Sequence, residues 1–234
     1  MNRKAIETIE ETIGVELSHR AFELGAIRLN TTEPFQWASG YRMPIYNDNR
    51  QLLRDAKTRA LAAEGFSQLI KALEITPDAI AGTATAGIPH ATTLADALGL
   101  PLSYVRSSSK GHGLKNRIEG LSAEKDYHHQ LVVLIEDLIS TGGSAINAVK
   151  AIDSAGGRVP YCLAIFTYGL QAATDNFASL DPLCVPVTIL TYDIMVREAA
   201  AAGYIDSTAA EDLQQWREQP FQWGASHGFF KVEG

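Results

Sequence analysis

Cysteine is nearly absent: Cys162 and Cys184 are the only two in 234 residues, each flanked by apolar residues in strand-like runs. That pattern suits buried, reduced thiols and leaves no disulfide framework or Cys-rich metal site to build on. Long hydrophobic runs are also missing, and no stretch approaches the length of a membrane span. The first eleven residues scatter charges among isolated Ile residues, with no apolar core or small-residue cleavage site, so no secretory signal is read there. Positive charge is in deficit as well. A net charge of −7 gives a phosphate backbone no basic face to bind, which argues against a nucleic-acid partner. Nucleotide signatures are lacking too: there is no Gly-x-Gly-x-x-Gly, and no Lys follows the glycines of the one small-residue turn. Internal repeats and low-complexity tracts do not occur. What is present, 46% hydrophobic residues, fits a globular cytoplasmic protein with a sizeable core.

The spacing predicts helices over residues 1–30, from Ile6, Ile9 and Ile13 and then Ala21, Phe22, Leu24 and Ile27. Phe35 to Tyr46 reads as two extended arms around a turn at Ser39-Gly40, with Pro44 at an edge position. A long amphipathic helix is expected over Leu52–Leu73, carried by Ala56, Ala60, Ala63, Phe66, Leu69, Ile70 and Leu73 and ended before Pro77. Strand and helix then alternate: strands at 79–81, 102–105, 131–135, 159–167 and 185–190, and helices at 87–98, 145–155, 170–177 and 194–202. Such alternation predicts an α/β fold with a parallel sheet covered by helices on both faces. Residues 1–50 form a small hood-like appendage in this reading, 51–205 the α/β core, and 206–234 a C-terminal helix with an aromatic tail. That tail, with Trp216, Phe221, Trp223, Phe229 and Phe230, is expected to pack on the core or on a partner rather than stack on a base. Arg106 to Gln130 is a long loop rich in Ser, Gly, Lys and His, and long loops in compact domains are usually functional.

The most informative segment runs Leu131-Val-Val-Leu-Ile-Glu-Asp-Leu-Ile-Ser-Thr-Gly-Gly-Ser-Ala145. An apolar strand ends on Glu136 and Asp137 and turns through small residues into a helix. The helix amino terminus offers unpaired N–H groups and the positive end of its dipole, and Gly142 and Gly143 let those donors approach a phosphate. Ser140, Thr141 and Ser144 add hydroxyls. Two carboxylates at the carboxyl end of a strand in an open α/β sheet are placed to accept hydrogen bonds from adjacent sugar hydroxyls.

This segment resembles the signature of type I phosphoribosyltransferases that binds 5-phosphoribosyl 1-pyrophosphate (PRPP), matched over Val132–Ser144, and the orotate enzymes are the most similar subgroup. Phe35–Tyr46 looks like their substrate-proximal hairpin, Gly82-Thr-Ala-Thr-Ala-Gly-Ile-Pro89 like their pyrophosphate loop, and Tyr104–Gly120 like their catalytic loop. The resemblance implies transfer of ribose 5-phosphate from PRPP to orotate, with magnesium as cofactor held mainly through PRPP oxygens. It assigns Glu136 and Asp137 to the ribose hydroxyls, and the stretch Leu138, Ile139, Ser140, Thr141, Gly142, Gly143 and Ser144 to PRPP. Arg106, Lys110 and His112 become the cations around the leaving group. Lys110 and His112 would reach a partner subunit's site, implying a homodimer that shares its catalytic loop. Ser140, Tyr46 and Tyr168 are the expected orotate contacts. The chain departs from commonly cited orotate enzymes at Ser107, Ala86 and Ala38, where they carry Lys, and at Tyr168, where they carry Arg. Arg42, backbone N–H groups or Ser140 are the substitutes considered for that Arg. Two other functions fit the ribose-phosphate signature: a phosphoribosyltransferase for a different base, and a non-catalytic PRPP sensor.

Overall fold

The computed structural model describes residues 1–107, 117–121, 124 and 126–232. The chain opens with helix α1 (Arg3–Ile9), whose first turn is capped by Asn2 accepting from the Ala5 N–H. One wider π turn (Glu10–Gly14) joins it to α2 (Val15–Glu23). The helical expectation for residues 1–30 fails at its end, because Ile27–Leu29 form strand β1. Ile27 still points into the core, but as a strand residue.

Strands β2 (Phe35–Gln36) and β3 (Arg42–Met43) form the expected hairpin, pairing Phe35 with Met43 and Gln36 with Arg42. Pro44 then breaks the run, and β4 (Ile45–Asn47) pairs with β1 instead. A 3₁₀ segment (Asn49–Arg54) precedes α3 (Ala56–Ala72), which starts later than the apolar spacing suggests. Asp55 accepts from both the N–H and the hydroxyl of Thr58, and this cap sets the first turn. Ala56 and Ala60 are consequently exposed, and the buried face runs through Thr58, Ala62, Ala63, Phe66, Leu69 and Ile70.

Regular alternation follows, with β5 (Ala79–Thr83), α4 (Gly87–Leu98), β6 (Leu102–Val105), β7 (Ile118–Glu119), β8 (Val132–Ile139), α5 (Gly143–Ser154), β9 (Tyr161–Thr167), α6 (Gln171–Ala178), β10 (Val185–Leu190) and α7 (Tyr192–Ala201). Helices α8 (Ser207–Glu218) and α9 (Pro220–Ser226) close the chain, two helices where one was expected. The main sheet has the order β10-β9-β8-β5-β6-β7, parallel except for the edge strand β7. β7 lies inside the segment that reads as a continuous loop, two residues being too short for a period to show.

Each central strand is buried on both faces, as parallel strands under helices must be. Val133, Ile135, Leu163 and Ile165 join one cluster with α1, α2, α3, α4 and α7. Val132, Leu134, Cys162 and Ala164 join the other, which α5 and α6 cover. Both cysteines are buried and unpaired, and burial pushes the Cys184 thiol up to about 12. Of the aromatic tail, Trp216 and Trp223 are buried, whereas Phe221 and Phe230 stay exposed. Among the described residues no helix is long and apolar enough to cross a membrane.

Candidate active site

β8 and β5 are neighbours at the centre of the sheet, so their carboxyl ends open where the connections leave in different directions. Ligands of open α/β sheets bind in such a crevice. β8 runs further than its apolar core, to Ile139, and carries Glu136 and Asp137 inside the strand. Glu136 is only 6% exposed and accepts from the Asp137 N–H at 3.0 Å. Thr83, at the end of β5, donates its hydroxyl to the Ile135 carbonyl at 3.1 Å and locks the two strand ends together. Burial, reinforced by the Asp137 carboxyl beside it, pushes Glu136 up to about 8. Asp137 is raised as well, again by burial first. The ionised forms of both acids therefore carry a desolvation penalty in the free protein, which hydroxyl donors of a ligand would relieve.

A side-chain relay that the sequence reading missed supports the pair from below. Asn47 donates to Asn49 at 3.1 Å, and Asn49 donates to the Asp137 carbonyl at 2.7 Å. The signal was a run of amides and an acid directly after a strand, Asn47-Asp48-Asn49, but its partner lies 88 positions away.

After Ile139 the chain turns through Ser140–Gly142 into α5. Gly142 has φ +83°, a left-handed conformation that a side chain resists, and a Cβ there would meet the Phe177 ring at 2.9 Å. Asn176 donates to the Thr141 carbonyl at 2.9 Å and pins the loop to α6. Among the described residues no side chain caps α5, and Gly143 and Ser144 are exposed, so its leading N–H groups face open space. Uncapped donors and the helix dipole together favour a dianionic phosphate. Arg106 follows β6 and shares with Ser144, Thr83 and Ala84 a cleft of about 310 Å³. Its guanidinium reaches Glu119 at 3.5 Å, while its backbone N–H and carbonyl are held by Arg117 at 2.8 Å each. Arg117 and Asn147 also line this cleft, and neither is marked by any motif. Lys110 and His112 lie outside the described residues.

A second, wider cleft of about 930 Å³ opens beside the acid pair, between Trp37–Ser39 of the hairpin and Leu138, Ser140 and Tyr168. Tyr46 and Asn47 complete its wall, so the three expected base contacts Tyr46, Ser140 and Tyr168 do come together. Tyr168 is 2% exposed, with its ring 5.5 Å from Trp37 and 5.3 Å from both Phe166 and Trp216. Burial raises its phenol, with the Asp137 carboxyl adding to the effect, so Tyr168 stays a neutral donor at ordinary pH. Trp37 is oriented by its indole N–H donating to the Ile45 carbonyl at 2.9 Å. Tyr46 lies under the Arg28 guanidinium, 4.7 Å from ring centre to carbon. Arg42, considered as a substitute for the Arg replaced by Tyr168, lines a different cleft with Thr32, Glu33 and Phe229. Its position on β3 turns it to the outer face of the hairpin.

The site thus has flat aromatic walls, a paired-acid floor and an uncapped helix end, with Ser140 between the wall and the helix. Comparison with known proteins identifies the family. The phosphoribosyl transferase domain model matches residues 48–169, a span that holds the acid pair, the α5 loop and Arg106. An orotate phosphoribosyltransferase of Enterococcus faecalis is 42% identical over 212 residues, 91% of this chain and 98% of that one. One from Bacillus cereus is 44% identical over 205 residues, covering 88% and 95%. The crystal structure of orotate phosphoribosyltransferase from Aeropyrum pernix superposes with a TM-score of 0.64 at 28% identity, over 81% of this chain and 99% of that one. Identity at this level over nearly the whole of both chains places the protein among the orotate phosphoribosyltransferases, and the chain belongs to that family.

Proposed function

We propose that this protein transfers ribose 5-phosphate from PRPP to orotate, giving orotidine 5'-phosphate and pyrophosphate in pyrimidine biosynthesis, as a cytoplasmic homodimer. One observation carries the reading: the paired acids of β8 and the uncapped end of α5 share an edge, through Leu138 and Ser140, with an aromatic-walled cleft. A ribose phosphate and a planar base therefore meet at one anomeric carbon. In this reading Glu136 and Asp137 accept the 2'- and 3'-hydroxyls, and Ser140–Ser144 hold the 5'-phosphate on backbone and hydroxyl donors. The base lies between Trp37 and the Leu138–Ser140 loop, with Tyr46 and Tyr168 at its rim.

At neutral pH orotate is a carboxylate whose reacting ring nitrogen keeps its proton, so that proton passes to solvent or to a pyrophosphate oxygen in the course of the transfer. That nitrogen forms the new bond to the anomeric carbon as the bond to the pyrophosphate oxygen breaks, and the electron pair leaves with pyrophosphate. Positive charge builds on the ribose ring, where the buried carboxylates lie closest, and negative charge on the departing phosphates, where Arg106 stands. Lys110 and His112, carried over by family resemblance, add cations from the partner subunit's loop. Magnesium would be held mainly through the PRPP oxygens and would neutralise leaving-group charge.

Loss of orotate absorbance in the presence of PRPP and magnesium tests the assignment, with uracil and adenine as competing bases. Consumption of orotate alone is expected. Turnover of another base would assign a different nucleophile, and PRPP binding without turnover of any base would favour a sensor.

A further inference from the structure

The wall of the base cleft is thin. Gln36–Ser39 line the cleft with Tyr168 on one side and, on the other, a groove of about 840 Å³ whose far bank is Lys231 and Val232. The C-terminal segment reaches this point along an ordered path. Trp223 is buried in α9 and stacks on Phe229, while the Phe229 N–H donates to the Gly224 carbonyl at 2.7 Å. Gly224 itself abuts the Arg42 carbonyl on the hairpin, where a Cβ would come within 2.8 Å. Beyond Phe229 the chain crosses the hairpin tip. The Val232 N–H donates to the Gly40 carbonyl at 3.0 Å, and the Lys231 ammonium sits 4.7 Å from the centre of the Tyr41 ring.

Gly40 and Tyr41 hold the backbone of Trp37. The Gly40 N–H donates to the Trp37 carbonyl at 2.8 Å, and the Trp37 N–H donates to the Tyr41 carbonyl at 2.9 Å. Gly40 adopts φ +83°, and a Cβ on it would collide with the Val232 carbonyl, so only glycine allows the tail to lie this close. With β2 and β3 just two residues each, the hairpin has little pairing of its own to resist motion. One further backbone hydrogen bond and one cation–π contact at its tip are a large share of what holds it.

We propose that Lys231 and Val232 are positioning residues for the base: the C-terminal strap fixes the tip of the hairpin, and through it Trp37, against the orotate cleft. This rests on reading that cleft as the base site. Among the described residues the strap's hydrogen bond and cation–π contact fall on Gly40 and Tyr41 and not on a ribose-phosphate residue, so its effect falls on the base and spares PRPP.

The test compares the full chain with a chain ending at Phe230, with Lys231→Met and with the conservative Lys231→Arg. Steady-state kinetics and amide exchange at Trp37 and Gly40 are measured on each. Loss of the strap is expected to raise KM for orotate roughly three- to ten-fold, the worth of one or two such contacts. KM for PRPP, kcat and the melting temperature should hold, exchange at the two amides should quicken, Lys231→Met should show part of the effect and Lys231→Arg should retain full-chain values. Equal orotate KM in the full and shortened chains overturns the proposal, as does a matched rise in both KM values with a lower melting temperature. Failure of the full chain to consume orotate would instead overturn the reading of the base cleft. The strap's hold on the hairpin is judged separately, and unchanged amide exchange on shortening refutes it.

Discussion

Glu136 and Asp137 show how a residue pair trades stability for binding. A carboxyl raised to about 8 in the folded protein, against an ordinary 4.5, is protonated when folded and ionised when unfolded between those values. Stability is therefore lost as pH rises through that window, and below about 4.5 the penalty is absent. Glu136→Gln should raise the melting temperature of the free protein at pH 8, by on the order of 2–4 kcal/mol of stability, with the gain vanishing near pH 4. The same variant should bind PRPP more weakly. Thermal melts at the two pH values check this, and a pH-independent difference would remove the buried-acid explanation. Asp137→Asn should cut kcat/KM for PRPP by about ten- to a hundred-fold, as expected when charge-assisted bonds to the ribose are lost; unchanged kinetics would take Asp137 out of the site. The acid pair was legible in the sequence because its residues are contiguous and follow an apolar strand. Asn47 and Asn49 were not, since an amide announces its partner only when the fold brings distant residues together. Arg42 misled for a related reason: its charge was visible, but the face of the hairpin it occupies was not.

At the level of elements, strands and helices from Ala79 onward were readable because an element buried on both faces leaves continuous apolar runs. α4 and β6 begin and end where the pattern places them. The amino-terminal third was harder. β1 is three residues long and its apolar Ile27 fits a helical period as well as a strand. The start of α3 was decided by a cap rather than by spacing, since Asp55 accepts both the N–H and the hydroxyl of Thr58. Asp55→Ala should cost about 1 kcal/mol and lower the melting temperature by a few degrees without altering KM for either substrate. A change in KM would mean that the 3₁₀ turn before α3, which carries Asn49, shifts with the cap.

Across the whole molecule, one sheet separates two hydrophobic clusters, and the larger one joins the amino-terminal helices, α7 and Trp216 to the strands that carry the site. Trp216 links layers: its indole meets the Met43 sulfur at 3.1 Å and its ring packs edge-on against Tyr168. Sequence composition pointed to a packed tail but did not reveal that Lys231 and Val232 return to the hairpin, because that contact is made by backbone and by one Lys on an aromatic face. The assembly offers its own test. If the catalytic loop serves the partner's site, mixing the impaired Lys110→Ala and Asp137→Asn proteins should raise activity to roughly a quarter of the full value, above that of either variant alone, since mixed dimers keep one intact site. No recovery after subunit exchange would place the loop over its own site. The central claim, that ribose phosphate and orotate meet at the edge between β8 and the hairpin, is tested most directly by pyrophosphate release from PRPP and magnesium with and without orotate. Release that requires orotate and matches its loss mole for mole is the predicted result. Release that ignores orotate, or that follows adenine or uracil instead, would contradict it.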